Sequence, residues 1–158
     1  MTPKQFYTRL RTAMKVLVWE GTSNLVFGNN VFISPQFMVQ QLPEMVCPSL
    51  FIVDKGFVAD EYHPGIGNLN FNFVLFVENV SDRFGEGVIL GANRTTNTSR
   101  GAGVLDIVDE VFSYLFTVTA LTSKVMVLER SIPNAVTIKG NLPLVTQTIA
   151  LSVYVGLY

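Results

Sequence analysis

The stretch "LNFNFVLFV", residues 69 to 77, decides the fold class. Leu69, Phe71, Phe73, Leu75 and Val77 recur at every second position, the period of a strand with one buried face. Asn70 and Asn72 begin the opposite face, which turns apolar at Val74 and Phe76. This is a central strand whose far end is buried on both sides. Further runs of the same kind surround it. "SLFIVD", 49 to 54, is a compact strand, "KVMVLE", 124 to 129, reads as another buried strand, and "NAVTIKG" follows Pro133 as a short one. Residues 144 to 157 form the longest. Val145, Ile149, Leu151, Val153, Val155 and Leu157 share one face with Gln147 as the exception, against a wetter face of Thr146, Thr148, Ala150, Ser152, Tyr154 and Gly156. One or two short strands are expected within residues 22 to 48.

Two segments carry a helical period instead. At the start, Thr2 is an N-cap, Pro3 occupies the first helical position and Gln5 completes a Thr-x-x-Gln capping box. Phe6, Leu10, Ala13, Met14, Leu17 and Val18 then recur at three- and four-residue steps, and Gly21 is the expected stop. Lys4, Arg9, Arg11 and Lys15 take the polar side, either as an anion-binding face or as a solvated one. In the second helix Val104, Leu105, Ile107, Val108, Val111, Phe112, Leu115 and Phe116 form the apolar stripe. Strands come in runs and do not alternate with helices. The expected architecture is α+β: one domain over residues 1–158, a mostly antiparallel sheet flanked by two helices. Phe71, Phe73, Leu75, Val108, Phe112 and Leu115 are expected in its core.

Composition narrows the function classes. Charged residues make up 15% of the chain, against roughly 25% in ordinary soluble domains, and mean hydropathy is +0.38. A compact 17.5 kDa chain exposes about 7,900 Å². Its 11 cationic and 12 anionic residues then stand about one per 340 Å². So much apolar surface marks an interface. No apolar run reaches the length of a membrane-spanning helix, and "MTPKQFYTRL" has no signal-peptide core. The expectation is an oligomer made in the cytoplasm.

Catalytic and ligand motifs are sparse. The single cysteine, Cys47, excludes an intramolecular disulfide, and the single histidine, His63, sits in the turn sequence "EYHPG". No Gly-Lys pair supports a Walker loop around Gly85, Gly87 and Gly91. With a net charge of −1 there is no cationic excess for nucleic acid. The expectation is a protein that is not an enzyme, with no cofactor and no metal. The polar stretch "GANRTTNTSRGAG", 91 to 103, is read as an assembly or channel-lining element with Asn93, Arg94, Asn97 and Arg100 as its contact residues, or else as a connector without contacts.

Taken in order, these elements resemble the tail terminator (tail completion) proteins of long-tailed bacteriophages. Three features carry the likeness. The opening helix "PKQFYTRLRTAMKVLVW" leads through an irregular stretch to "LPEMVCPSLFIVDKG". "NLNFNFVLFVEN" is followed by a polar loop and then the "LDIVDEV" helix, 105 to 111. The chain closes on the strand "TQTIALSVYV". The Gly-rich turn of such proteins before the penultimate strand is absent, and "TALTSKVMVLERSIPNAV" stands there. The resemblance implies a homohexameric ring at the head-proximal end of the tail in the virion. The ring would end tube polymerisation, contact the tail tube protein and the head connector, and surround DNA passing non-specifically through the channel. Another small neck or tail-tube subunit is the alternative, followed by a cytosolic ligand-binding domain.

Overall fold

A computed structural model describes residues 1–35, 47–78, 86–91, 102–117, 124–136 and 144–156. The fold is α+β, a mostly antiparallel sheet with two long helices. Helix α1 spans Pro3–Val16, with the capping box formed as the sequence requires. The Gln5 amide N–H donates to Thr2 Oγ1 at 3.3 Å, and the Thr2 N–H donates to Gln5 Oε1 at 2.9 Å. The helix stops a turn before the expected Gly21. "VLVW", 16 to 19, alternates at period two, and from Leu17 the backbone is extended. Leu17 and Trp19 turn inward while Val18 faces out. The Val26 N–H donates to Leu17 O at 2.8 Å and the Trp19 N–H to Asn24 O at 2.9 Å. Gly21, at φ +72°, makes the turn of this small pairing.

Among the described residues the sheet has six strands: β1 (Val31–Ile33), β2 (Ser49–Ala59), β3 (Ile66–Glu78), β4 (Val125–Arg130), β5 (Asn134–Val136) and β6 (Leu144–Gly156). The order is β1-β2-β3-β6-β4, with β5 also on β6. Of these pairings only β1 with β2 is parallel. The 69–77 stretch lies at the centre as expected, paired with β2 on one side and β6 on the other. Its Leu69-Phe71-Phe73-Leu75-Val77 face joins the large core cluster with residues of both long helices. Phe71 holds that junction, with its ring 5.4 Å from Phe6 and 6.0 Å from Tyr7. The opposite face closes at one end only, where Phe51, Val53, Val74, Phe76 and Leu144 form a second buried cluster. Gln147, the polar exception on the core face of β6, is buried; its Nε2 donates to Ser131 O at 2.7 Å, tying the β4–β5 junction to β6.

Helix α3 (Val104–Thr117) buries Val104, Ile107, Val108, Val111 and Leu115. Three members of its expected stripe depart from expectation, and Leu105 is the first, only half-buried. Phe112 is only partly buried at the margin of the core, and Phe116 is 57% exposed, its ring 5.6 Å from Phe112. The stripe is wider than the surface available to cover it, so its outer edge remains in solvent. β4 is also corrected. It is an edge strand, not a buried one, and Val125 alone of its residues is buried. Hydrophobic run length reports side-chain type and not lateral position in a sheet, so an edge and a centre read alike.

A short helix, α2 (Glu86–Leu90), was not anticipated. It accounts for two of the glycines that suggest a phosphate loop, Gly87 and Gly91; Gly85 lies outside the described residues. Gly87 is buried within it and the Gly91 N–H donates back to Gly87 O at 3.0 Å, with Gly91 at φ +87°. A Cβ on Gly103 would stand 2.4 Å from Gly91 N and 2.5 Å from Ile89 O. Glycine at 103 therefore lets the start of α3 touch the end of α2.

Candidate functional site

The residues singled out from sequence fall into separate places. Asn93, Arg94, Asn97 and Arg100 lie outside the described residues; of the 91–103 stretch the structure describes Gly91, Ala102 and Gly103. Lys4, Arg9 and Arg11 are exposed on α1 and Lys15 is half-exposed. At about 100° per residue Lys4, Arg11 and Lys15 share one stripe, while Arg9 lies roughly 140° round the helix from Lys4. The four cations are thus divided, three and one. Thr8 and Thr12 beside the stripe turn their hydroxyls back on the helix, to Lys4 O at 2.8 Å and Thr8 O at 3.0 Å. They are spent locally and add no donor to an anion site.

Cys47 and His63 cannot act together. Cys47 precedes β2 and His63 follows it, so the 11 residues of β2 hold them on the order of 35 Å apart. Cys47 is half-buried against the second cluster. Burial, with a smaller contribution from the Glu78 carboxylate, pushes its thiol up to about 11, away from the nucleophilic thiolate.

A connected polar knot at the β2–β3 turn is a feature that sequence reading missed. Asp60 Oδ1 accepts from the backbone N–H of Tyr62 at 2.8 Å and of His63 at 3.1 Å. The Tyr154 hydroxyl on β6 donates to Asp60 Oδ2 at 2.8 Å, and His63 Nδ1 stands 3.4 Å from Oδ1. The Tyr154 hydrogen bond, followed by the Tyr62 amide, holds the Asp60 carboxyl below the usual range. The same bond raises the Tyr154 phenol. An aspartate opening a turn was a readable signal for the two backbone bonds. Tyr154 was not, because only sheet pairing brings residue 154 beside Asn68 and the turn. A second cross-element bond, from the Tyr7 hydroxyl to Asp54 Oδ1 at 2.8 Å, pins α1 to β2, and burial with that bond raises the phenol.

An open groove of about 280 Å³ lies between the end of α1 and α3, with Val16, Val18, Glu110 and Tyr114 in its lining. The Glu20 N–H donates to Glu110 Oε1 across it at 3.2 Å. Scanned against models of known families and against curated proteins, the chain matches none. Among the described residues no three His, Cys, Asp or Glu side chains gather as metal ligands, and no helix is long and apolar enough to cross a membrane.

Exposed apolar side chains are scattered over the described surface, Val16, Val58, Leu90 and Phe116 among them, and others stand along the sheet edges. On β4 and the residues after it, Met126 is 43%, Leu128 59% and Ile132 79% exposed. On β1, Phe32 and Ile33 are exposed too. These side chains supply apolar contact area.

Proposed function

We propose that the chain is a structural subunit of a ring that caps a phage tail tube, ends tube polymerisation and joins the tail to the head connector. The observation that carries this reading is the exposed apolar edge of a sparsely charged domain, Met126, Val127, Leu128 and Ile132 on one strand and its extension. Such a row is unfavourable in water and is relieved by a protein neighbour. The order of elements, an amphipathic helix, a strand-rich middle, a second helix and a long closing strand, supports the same reading.

The test mixes purified chain with polymerising tail tube protein. Expected are tubes that stop growing, ring-shaped density at one tube end in negative stain, and a hexameric mass by light scattering once released. Tubes that elongate unchanged, with the chain left free in solution, would overturn the proposal. Replacing residues 93 to 100 by a Gly/Ser linker of equal length separates the loop's part. Assembly should fail while the melting temperature holds; unchanged capping removes the loop from the mechanism.

A further inference from the structure

We propose that copies of this chain join head to tail through the two edges of the sheet, β4 of one copy pairing antiparallel with β1 of the next. The ring reading is needed only for closure; the contact itself is argued from the fold.

Strand direction comes first. β1 and β2 run parallel, and every later step across the sheet is antiparallel. Among the described residues β1 and β4 are the edge strands, and they therefore run in opposite directions. Rotating a copy about an axis along the strands preserves direction, so β1 of the next copy meets β4 antiparallel, the more stable ladder. It also keeps α1 and α3 on the same side of the extended sheet.

The side chains fit that arrangement in one register. Phe32 lies beside Phe51 on the face away from the helices, with ring centroids 5.1 Å apart, and Met126 is on that same face opposite Ser152. Setting Phe32 opposite Met126 places apolar against apolar there. The register puts Val31 opposite Val127 and Ile33 opposite Val125 on the helix-covered face. Charge agrees. Residues 21–35 contain no ionisable side chain, so Lys124, Glu129 and Arg130 meet no like charge on the facing edge. A twofold pairing of β4 with β4 would leave Phe32 and Ile33 uncovered, whereas the head-to-tail contact covers them together with Met126 and Val127, and Leu128 falls opposite Asn30 just past the end of β1.

The experiment uses the full chain with Cys47→Ser as background. Phe32→Cys and Met126→Cys are made singly, checked by thermal melt, and oxidised alone and mixed. Directly opposed Cβ atoms lie within disulfide reach. The expected result is a cross-linked dimer from the mixture only, and a ladder of multimers from the double variant. A ladder ending at six shows a closed ring. A ladder running on keeps the contact and removes the ring. If Phe32→Cys loosens the Phe51 contact, Ile33→Cys and Val127→Cys with a bis-maleimide replace the first pair. A dimer from Met126→Cys alone means twofold pairing and overturns the proposal. So does the absence of any cross-link from both pairs at about 1 mM protein, where even a millimolar contact is populated.

Discussion

Asp60 shows how one side chain organises a turn. It accepts two backbone N–H groups from its own loop and the Tyr154 hydroxyl from β6. Its depressed pKa means that the folded state favours the carboxylate. That stabilisation is present at neutral pH and is lost as pH falls from the ordinary aspartate range down through the lower folded value. The Tyr154 phenol is raised, so its side of the bond persists until pH climbs past the ordinary tyrosine value of about 10. Tyr154→Phe removes the first cause of the Asp60 shift. The Asp60 carboxyl should then titrate at higher pH, followed by NMR of the side-chain carboxyl carbon; an unmoved titration would show that the loop amides alone set it. Cys47 gives a second test at this scale. Moving its pKa from 9.0 to about 11 lowers the thiolate fraction at pH 8 roughly a hundredfold. Alkylation by iodoacetamide should be slower by that factor in the native protein and normal in denaturant. Fast native alkylation would place the thiol in solvent.

At the scale of elements, the helix–sheet junction has a centre and a margin. Phe71 is fully buried between Phe6, Tyr7 and Phe73. Phe71→Ala should cost about 3–5 kcal/mol, most of a marginal domain's stability. Phe112, expected from its helical spacing to belong to that centre, is partly buried at the edge. Phe112→Ala should cost roughly half as much or less, because the site is already open to water. Urea unfolding of both variants measures the difference; equal losses would mean that α3 sits deeper on the sheet. Gly67 marks a different limit. Its Cβ would lie 2.2 Å from Val58 O across the β2–β3 pair. Gly67→Ala must therefore force the hairpin apart, at roughly 1–3 kcal/mol or more, and hydrogen exchange should quicken first at residues 58, 59 and 67. Unaltered exchange would show the hairpin yields without cost.

For the whole molecule, low charge and open edges act together. The pI is about 5.8 and the net charge −1, so little electrostatic repulsion opposes contact between copies near pH 6. Met126 and Leu128 lie on the exposed edge. Replacing both by Lys should leave stability within about 0.5 kcal/mol per substitution, the usual range for surface sites. Self-association at pH 6, read by light scattering, should fall sharply. If association persists unchanged, the adhesive surface lies elsewhere, and the groove between α1 and α3 becomes the first place to look.

Local chemistry was legible in the sequence wherever a feature depends on neighbours a few residues apart. The Thr2–Gln5 capping box, the alternation of β3 and β6 and the buried row of α3 are of this kind, and so was the α+β class. Features set by distant partners were not. The exposure of β4 depends on which strands flank it, the retreat of Phe112 on the width of the sheet beneath α3, and the Asp60–Tyr154 bond on a register linking residues 94 positions apart. The misread "VLVW" shows the boundary between the two. Its apolar residues suit either period, and the hydrogen bonds from Trp19 to Asn24 and from Val26 to Leu17 select the extended form. Side-chain pattern thus determined which faces are apolar. Only the tertiary structure decided which of those faces is covered, because burial depends on what packs opposite.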